Sequence, residues 1–444
     1  MVPIFPCDRL PEDPAAGRLV GLYPQRQEGL WLQRLKNPGG VLTADQWAVL
    51  AQAARDFTPD TPLHITTRQD IEFHNLPAET VPLVQARVAS AGMTSAGAAG
   101  DTPRNTTVCS CSGLMAGAAD LHPLAAQLGE VFLGIEGIYA LPRKFKVALM
   151  CGPDCGRPWI NDLSIIAKRN EAGELGFTVI VAGSLGAKPG TGLLLHEWLP
   201  AQDVLPLATA LIEVFAAHGD RENRRKARLR HVRERMGDAV FAALVAETFA
   251  AHKARTDLPA IAMPAGDAGF GAMVELAFPF GNLSADTADA IGRLTRDGTV
   301  AARMNVQQGV TVFGADQALL DAALAAHGLS EFTGAKAIVM TCPGTRWCKL
   351  AKASTETVAA MLRPLVEAHL PTGGCACVSG CPNGCSHYGV ADVGLFGLAS
   401  TDGVERYNVF VGGGNGKTPA LAAPLAQRVT AEEAVAAVAL HFGA

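Results

Sequence analysis

Two cysteine hairpins carry the most specific chemistry in this chain: Cys342-Pro-Gly-Thr-Arg-Trp-Cys348 and Cys381-Pro-Asn-Gly-Cys385. Four soft thiolates suit zinc or an iron–sulfur cluster. Structural zinc prefers two residues between paired cysteines, whereas the gaps here are five and three, which points to a 4Fe-4S cube. Any four cysteines can instead be small buried apolar residues. Here Gly and Pro inside both gaps supply turns that bring the sulfurs together.

Followed by Ser386-His387-Tyr388-Gly389-Val390-Ala391-Asp392-Val393-Gly394, the hairpins resemble the cluster half of the sirohaem-dependent sulfite and nitrite reductases. The resemblance implies that Cys342, Cys348, Cys381 and Cys385 hold the cube and that Cys385 also ligates the sirohaem iron. It further implies an external electron donor, a ferredoxin or a flavoprotein subunit, since no G-x-G-x-x-G nucleotide module is present. Arg346, Lys349 and Lys352 are candidates for receiving an acidic donor.

Sirohaem is a polycarboxylate and its substrate an anion, so one cavity must gather many cations. Arg34, Arg68, Arg104 and the run Arg143-Lys144-Phe145-Lys146 lie in four segments that resemble family motifs, in family order. Any one of them alone would read as a solvated surface charge. The resemblance implies that Arg34, Arg104, Lys144 and Lys146 bind substrate oxygens, while Arg68, Arg143 and His64 meet macrocycle carboxylates. His64 stands where many relatives have arginine, and Glu72 where glutamine is common; His74 reads equally as a core histidine or a cofactor contact. Sulfite reductases tend to keep both lysines of Lys144-Phe145-Lys146, and nitrite reductases tend to have Lys-Trp-Asn.

The elements that position these residues repeat. Gly40-Val41-Leu42-Thr43-Ala44-Asp45 is echoed by Gly281-Asn282-Leu283-Ser284-Ala285-Asp286. Each opens a helix, over 46–56 and 287–297, with Thr43 or Ser284 as N-cap, then a strand, over 63–67 and 302–306. Arg68-Gln69 is matched by Gln307-Gln308, and Cys151 and Cys155 lie 230 residues before Cys381 and Cys385. A constant offset implies duplication with a ligand between the copies. The expected fold is α+β, a pseudo-twofold duplicated nitrite/sulfite reductase fold. Its segments are 1–98, an N-terminal stretch and first ferredoxin-like half-domain; 99–255, a first sirohaem-binding α/β lobe; 256–332, a second ferredoxin-like half-domain; and 333–444, the 4Fe-4S and sirohaem lobe. Residues 220–235 read as an exposed helix laced with ion pairs, and 430–441 as an amphipathic helix capped by Thr430.

Cys109, Cys111, Cys151 and Cys155 fall roughly where the second half has its ligands, but a single-residue gap is unusual for a cluster, so one cube is expected. Cys375 and Cys377 read as packing residues. A chain that is 49% hydrophobic and 18% charged describes a packed globular protein, and a net charge of −5 speaks against nucleic acid as partner. No run is long enough to span a membrane, no secretory signal is evident, and eleven cysteines then point to reduced thiols in the cytoplasm.

The function expected from these features is six-electron reduction of sulfite to sulfide. The alternatives are a ferredoxin-dependent nitrite reductase, a precorrin-3B synthase, against which the retained lysines argue, and a non-catalytic sirohaem electron-transfer subunit.

Overall fold

The computed structural model describes residues 5–152, 155–255, 257–261, 269–400 and 402–444. Two five-stranded sheets share one topology. In the first, strands Thr107–Val108, Val147–Met150 and Leu163–Arg169 run parallel, and Leu175–Val181 and Leu193–Pro200 return antiparallel. In the second, Ile338–Thr341, Cys375–Ser379 and Val393–Leu398 are parallel, and Arg406–Val411 and Ala423–Val429 antiparallel. The parallel strands are buried almost throughout, as strands covered on both faces must be. Helices Glu356–His369 and Ala431–Phe442 cover one face of the second sheet, the latter opened by a capping box between Thr430 and Glu433.

The two half-domains build a single core. Helices Ala44–Phe57 and Ala285–Leu294 start at Thr43 and Ser284 as expected, each hydroxyl accepting from the backbone N–H three residues on. They pack on one another so closely that a Cβ on Gly292 would stand 3.0 Å from both the Ala44 carbonyl oxygen and the Trp47 Cβ. The sheets cross over as well. Asn282–Leu283 from the second copy pairs with His64 and Leu63 of the first, and Val41 of the first bridges to Arg303 of the second.

Two glutamines fasten this core to the lobes. Gln69 and Gln308 both have positive φ, 60° and 65°, and both are buried. The Gln69 amide donates to the carbonyls of Met304 and Val108 at 2.7 Å and accepts from Val108 N–H at 2.9 Å. Gln308 donates to the Ile65 carbonyl at 3.1 Å and accepts from Thr341 N–H at 3.0 Å. Val108 and Thr341 end the strands that deliver Cys109 and Cys342, so each glutamine fixes the entry to a cysteine motif. Glycine is required beside them: Gly40 and Gly281 both have φ of 73°, and a Cβ would meet Gln69 or Gln308 within about 3.0 Å.

Residues 220–235 depart from the expected exposed helix. Only Leu229–Met236 is helical, and Arg228 and Arg230 are buried, Arg228 against Asp162 at 2.5 Å and Arg230 against the Ser184 hydroxyl at 2.9 Å. The charge run is partly an interior clamp, because its arginines find partners inside the first lobe.

Replacing Gln308 with Ala leaves Thr341 N–H without its acceptor and Ile65 carbonyl without its donor in the interior. A loss of about 2 kcal/mol is expected, read as a lower urea midpoint with an unchanged slope.

Candidate active site

Cysteines terminate the parallel strands of both lobes. In the second lobe Cys342 follows Ile338–Thr341, and Cys381 follows Cys375–Ser379 after one residue. Carboxyl ends of parallel strands are the usual ligand position in α/β sheets. Cys342 and Cys381 are buried and Cys385 is exposed. Burial first, and the neighbouring Cys385 second, push the Cys381 thiol up to about 11, and the same two influences raise Cys342. Cys348 is raised by burial and also senses Cys385. The four sulfurs therefore form one electrostatic group. Gly380 N–H points at the Cys342 sulfur at 3.1 Å, and Thr67 of the first half-domain donates to the Cys385 carbonyl at 2.9 Å.

Facing Cys385 are cations from the first half. Lys144 and Lys146 lie just before strand Val147–Met150, within reach of Cys385, Arg228 and one another. Burial, then Arg104 and Arg228, lower Lys144 to about 7 against the opposing pull of Cys385. Burial, then Arg68 and Lys144, push Lys146 well below its ordinary value. Burial also lowers Lys36 to about 8, with Asp70 opposing and Arg104 and Arg68 reinforcing. Among the described residues, no side chain hydrogen-bonds or ion-pairs with the ammonium of Lys36, Lys144 or Lys146. Arg104 donates to the carbonyls of Ala98 at 3.1 Å and Gly100 at 2.8 Å. Arg68 donates to Asn161 at 3.3 Å and to the carbonyls of Val147, at 2.8 Å, and Asn105. Buried Nε groups of Arg68, Arg104 and Arg228 are left without a partner.

Three expected cations are already engaged. Arg34 grips Glu72 on the adjacent strand, 2.7 Å from Nε and 2.6 Å from Nη2 to the same oxygen. The glutamate that departs from the family pattern thus absorbs the charge of this arginine. Lys36, two residues on, is the free cation of that segment. Arg143 pairs with Asp101 at 3.0 Å, which Arg224 also engages at 2.8 Å. His64 has both ring nitrogens occupied, Nδ1 at 2.9 Å from the Asn282 side-chain Oδ1 and Nε2 accepting from the Gln308 amide at 3.2 Å. It serves the contact between half-domains and has no hydrogen bond left for a ligand. His74 is a core residue, 3.2 Å from Glu72 and stacked at 4.0 Å on Trp347, which precedes Cys348. Lys36 and Arg228 went unrecognised in the sequence. The available signal for Lys36 was alternation, since residues 34 and 36 share a face of an extended segment and an adjacent acid can neutralise only one.

A family model described as the nitrite and sulphite reductase 4Fe-4S domain matches residues 99–253 and 335–442, and one for the nitrite/sulfite reductase ferredoxin-like half domain matches 23–91. The chain belongs to the nitrite and sulfite reductase family. It is 30% identical to the assimilatory ferredoxin-dependent nitrite reductase of Haloferax mediterranei, over 94% of this chain and 80% of that one. It is 29% identical to the ferredoxin sulfite reductase of Mycobacterium tuberculosis, over 94% and 82%. The solved structure of the M. tuberculosis NirA protein superimposes with a TM-score of 0.80 at 26% identity, covering 94% of this chain and 84% of that one.

As a member of this family of oxidoreductases, the protein uses sirohaem and a 4Fe-4S cluster. Its residues fit both groups. Unpartnered guanidinium nitrogens and ammoniums beside one exposed thiol suit a polycarboxylate next to a cluster, and two buried thiols with an N–H directed at sulfur suit the cluster itself. No helix is long and apolar enough to cross a membrane among the described residues.

Burial alone would raise the Glu72 carboxyl, but Arg34 and then His74 outweigh it and hold the group well below the usual carboxylate range. Its contribution to stability is present above the unfolded value near 4.5 and is lost as pH falls toward the lower folded value. Arg34→Met should cost about 3–5 kcal/mol by stranding the buried carboxylate. Double replacement, Arg34→Met with Glu72→Met, should recover part of that loss and flatten the acid limb of a stability–pH profile measured by urea unfolding.

Proposed function

We propose that this protein is a sulfite reductase, catalysing six-electron reduction of sulfite to sulfide with electrons from a ferredoxin-type donor. The observation that carries this reading is the set of three unpaired ammoniums, Lys36, Lys144 and Lys146, of which Lys144 and Lys146 sense Cys385 while Lys36 shares the neighbours Arg104 and Arg68 with them. When bound, the sirohaem–cluster pair supplies the electrons and the iron at which the anion is reduced. Cys342, Cys348, Cys381 and Cys385 would hold the cluster, Cys385 would also serve the sirohaem, and Arg68 and Arg104, each with an unpartnered Nε, would meet its carboxylates.

Loss of three oxygens as water requires protons and positive charge at each departing oxygen. Lys144, brought to about 7, can give up a proton and recover it at neutral pH. Lys36 and Lys146 both add charge near Arg68, with Asp70 opposing at Lys36, so an anion entering the pocket relieves that repulsion. Sulfite, a dianion or nearly so with three oxygens, uses such a set more fully than nitrite, a smaller monoanion. That favours sulfite, although relatives acting on each anion are about equally similar in sequence.

The names of the relatives also motivate the donor assignment. Lys349, Leu350 and Lys352 are exposed next to Cys348 and would receive an acidic protein, whereas Arg346 is turned to Glu356 at 3.0 Å and over Trp347.

With reduced methyl viologen under anaerobic conditions, the loaded protein should turn sulfite over to sulfide faster than nitrite to ammonia; a strong bias to ammonia would reassign the substrate. Lys146→Asn should lower the sulfite-to-nitrite ratio of kcat/KM at least tenfold, and an unchanged ratio would remove Lys146 from substrate choice. Lys36→Met should raise KM for either anion with sirohaem content preserved. The lysines lose charge as pH rises through about 7 and 8, so KM for nitrite, a monoanion throughout, should increase from pH 7 to 9.

A further inference from the structure

The first lobe carries its own cysteine quartet, and its geometry differs from that of the cluster site. The sulfurs of Cys109, Cys111, Cys151 and Cys155 all lie within 4.8 Å of one another. Cys109 to Cys151 is 3.0 Å, Cys111 to Cys151 3.3 Å, Cys111 to Cys155 3.6 Å and Cys151 to Cys155 3.7 Å. Cys151 N–H also donates to the Cys109 sulfur at 3.1 Å. All four are free thiols, and none of these separations is near the ~2.05 Å of a disulfide. Four thiolates around one tetrahedral ion with metal–sulfur bonds of about 2.3 Å stand roughly 3.8 Å apart, a spacing that the two contacts of Cys155, 3.6 and 3.7 Å, approach. No other group of three or more potential ligands closes up in this way among the described residues, and that includes Cys342, Cys348, Cys381 and Cys385, whose cube requires wider separation.

The quartet occupies the pseudo-twofold counterpart of the cluster position. Cys109 and Cys151 directly follow the parallel strands Thr107–Val108 and Val147–Met150. The cavity that it faces, about 270 Å³, is the counterpart of the catalytic pocket but has lost that pocket's charge. The sheet registers make Lys146 equivalent to Cys375, and the matched Pro-x-Gly turns make Lys36 equivalent to Ala277 and Arg34 to Glu275. Of the cations that remain at its wall, Arg157 is engaged by His387 at 2.8 Å, Lys417 lies within reach of Glu275, and Arg68, bonded to Asn161 and two backbone carbonyls, keeps only the Nε already assigned to sirohaem carboxylates. A second anion-reducing centre has no means of holding its substrate there.

We propose that Cys109, Cys111, Cys151 and Cys155 bind one thiophilic ion, zinc or ferrous iron, as a closed tetrathiolate site that staples the first lobe. Four protein ligands leave no open coordination position, so its role is structural. At about 3.3 Å per residue along strand Val147–Met150, the site lies some ~16 Å from Lys146 and outside the catalytic pocket.

Native mass spectrometry with zinc and iron analysis on anaerobically purified, sirohaem-loaded wild-type protein tests this. One zinc or iron ion per chain is expected beyond the iron of sirohaem and one cube. In Cys111→Ser/Cys155→Ser that ion should be lost and the melting temperature should fall, while the sirohaem absorption, the cube iron and turnover with methyl viologen are retained. The wild-type measurement decides the matter even if the variant does not fold. Absence of the extra ion, a full second cube of iron with sulfide, or recovery of a Cys109–Cys151 disulfide from the anaerobic protein would each overturn the assignment.

Discussion

Mutual repulsion among buried cations is the constraint around which this molecule is organised. Burial lowers the proton affinity of Lys36, Arg68, Arg104, Lys144 and Lys146, and repulsion from neighbouring cations, Arg228 among them, lowers it further. Such a group cannot be held by flexible loops. The backbone around it is accordingly pinned, by the Gln69 and Gln308 amides, by Asn105 reaching the carbonyls of Asn37 at 2.7 Å and Arg68 at 2.9 Å, and by Asp162, which accepts from both Lys146 N–H and Arg228. Carboxylates are distributed selectively. Glu72 and Asp101 neutralise the outer arginines, Arg34 and Arg143, and the three lysines are left for anions that arrive from outside.

Duplication explains why such a site could arise. One frame, three parallel strands and two antiparallel ones with cysteines at the strand ends, was laid down twice, and the two copies face each other through Arg157 and His387, residues 230 apart that touch at 2.8 Å. The frame is indifferent to what its ends carry. One interlobe space collected lysines opposite an exposed cysteine, and the other is lined by Met273, Glu275 and Asn305 opposite a tight thiol quartet.

Much of this was readable in the chain. The helix caps Thr43, Ser284 and Thr430 and the correspondence of Gln69 with Gln308 are sequence patterns, and the structure contains each of them. What sequence reasoning could not assign was the destination of charge. Arg34, Arg143 and His64 have the right type and place but spend their hydrogen bonds on Glu72, Asp101, Asn282 and Gln308, partners distant in sequence or on neighbouring strands. Arg228, inside a run that looks solvated, instead finds an acid 66 positions away. Long-range pairing of like-looking charges leaves no periodic trace.

The short strand Asn282–Leu283 has a consequence for the order of assembly. It completes the sheet of the first half-domain by pairing with Leu63 and His64, so during synthesis that edge stays unpaired until more than half of the chain has left the ribosome. The first lobe, whose core draws only on residues 108–245, has all its parts by then. The wall formed by the half-domains therefore closes late, after the lobe that carries Lys144 and Lys146 is complete and before the segment with Cys342 to Cys385 has emerged.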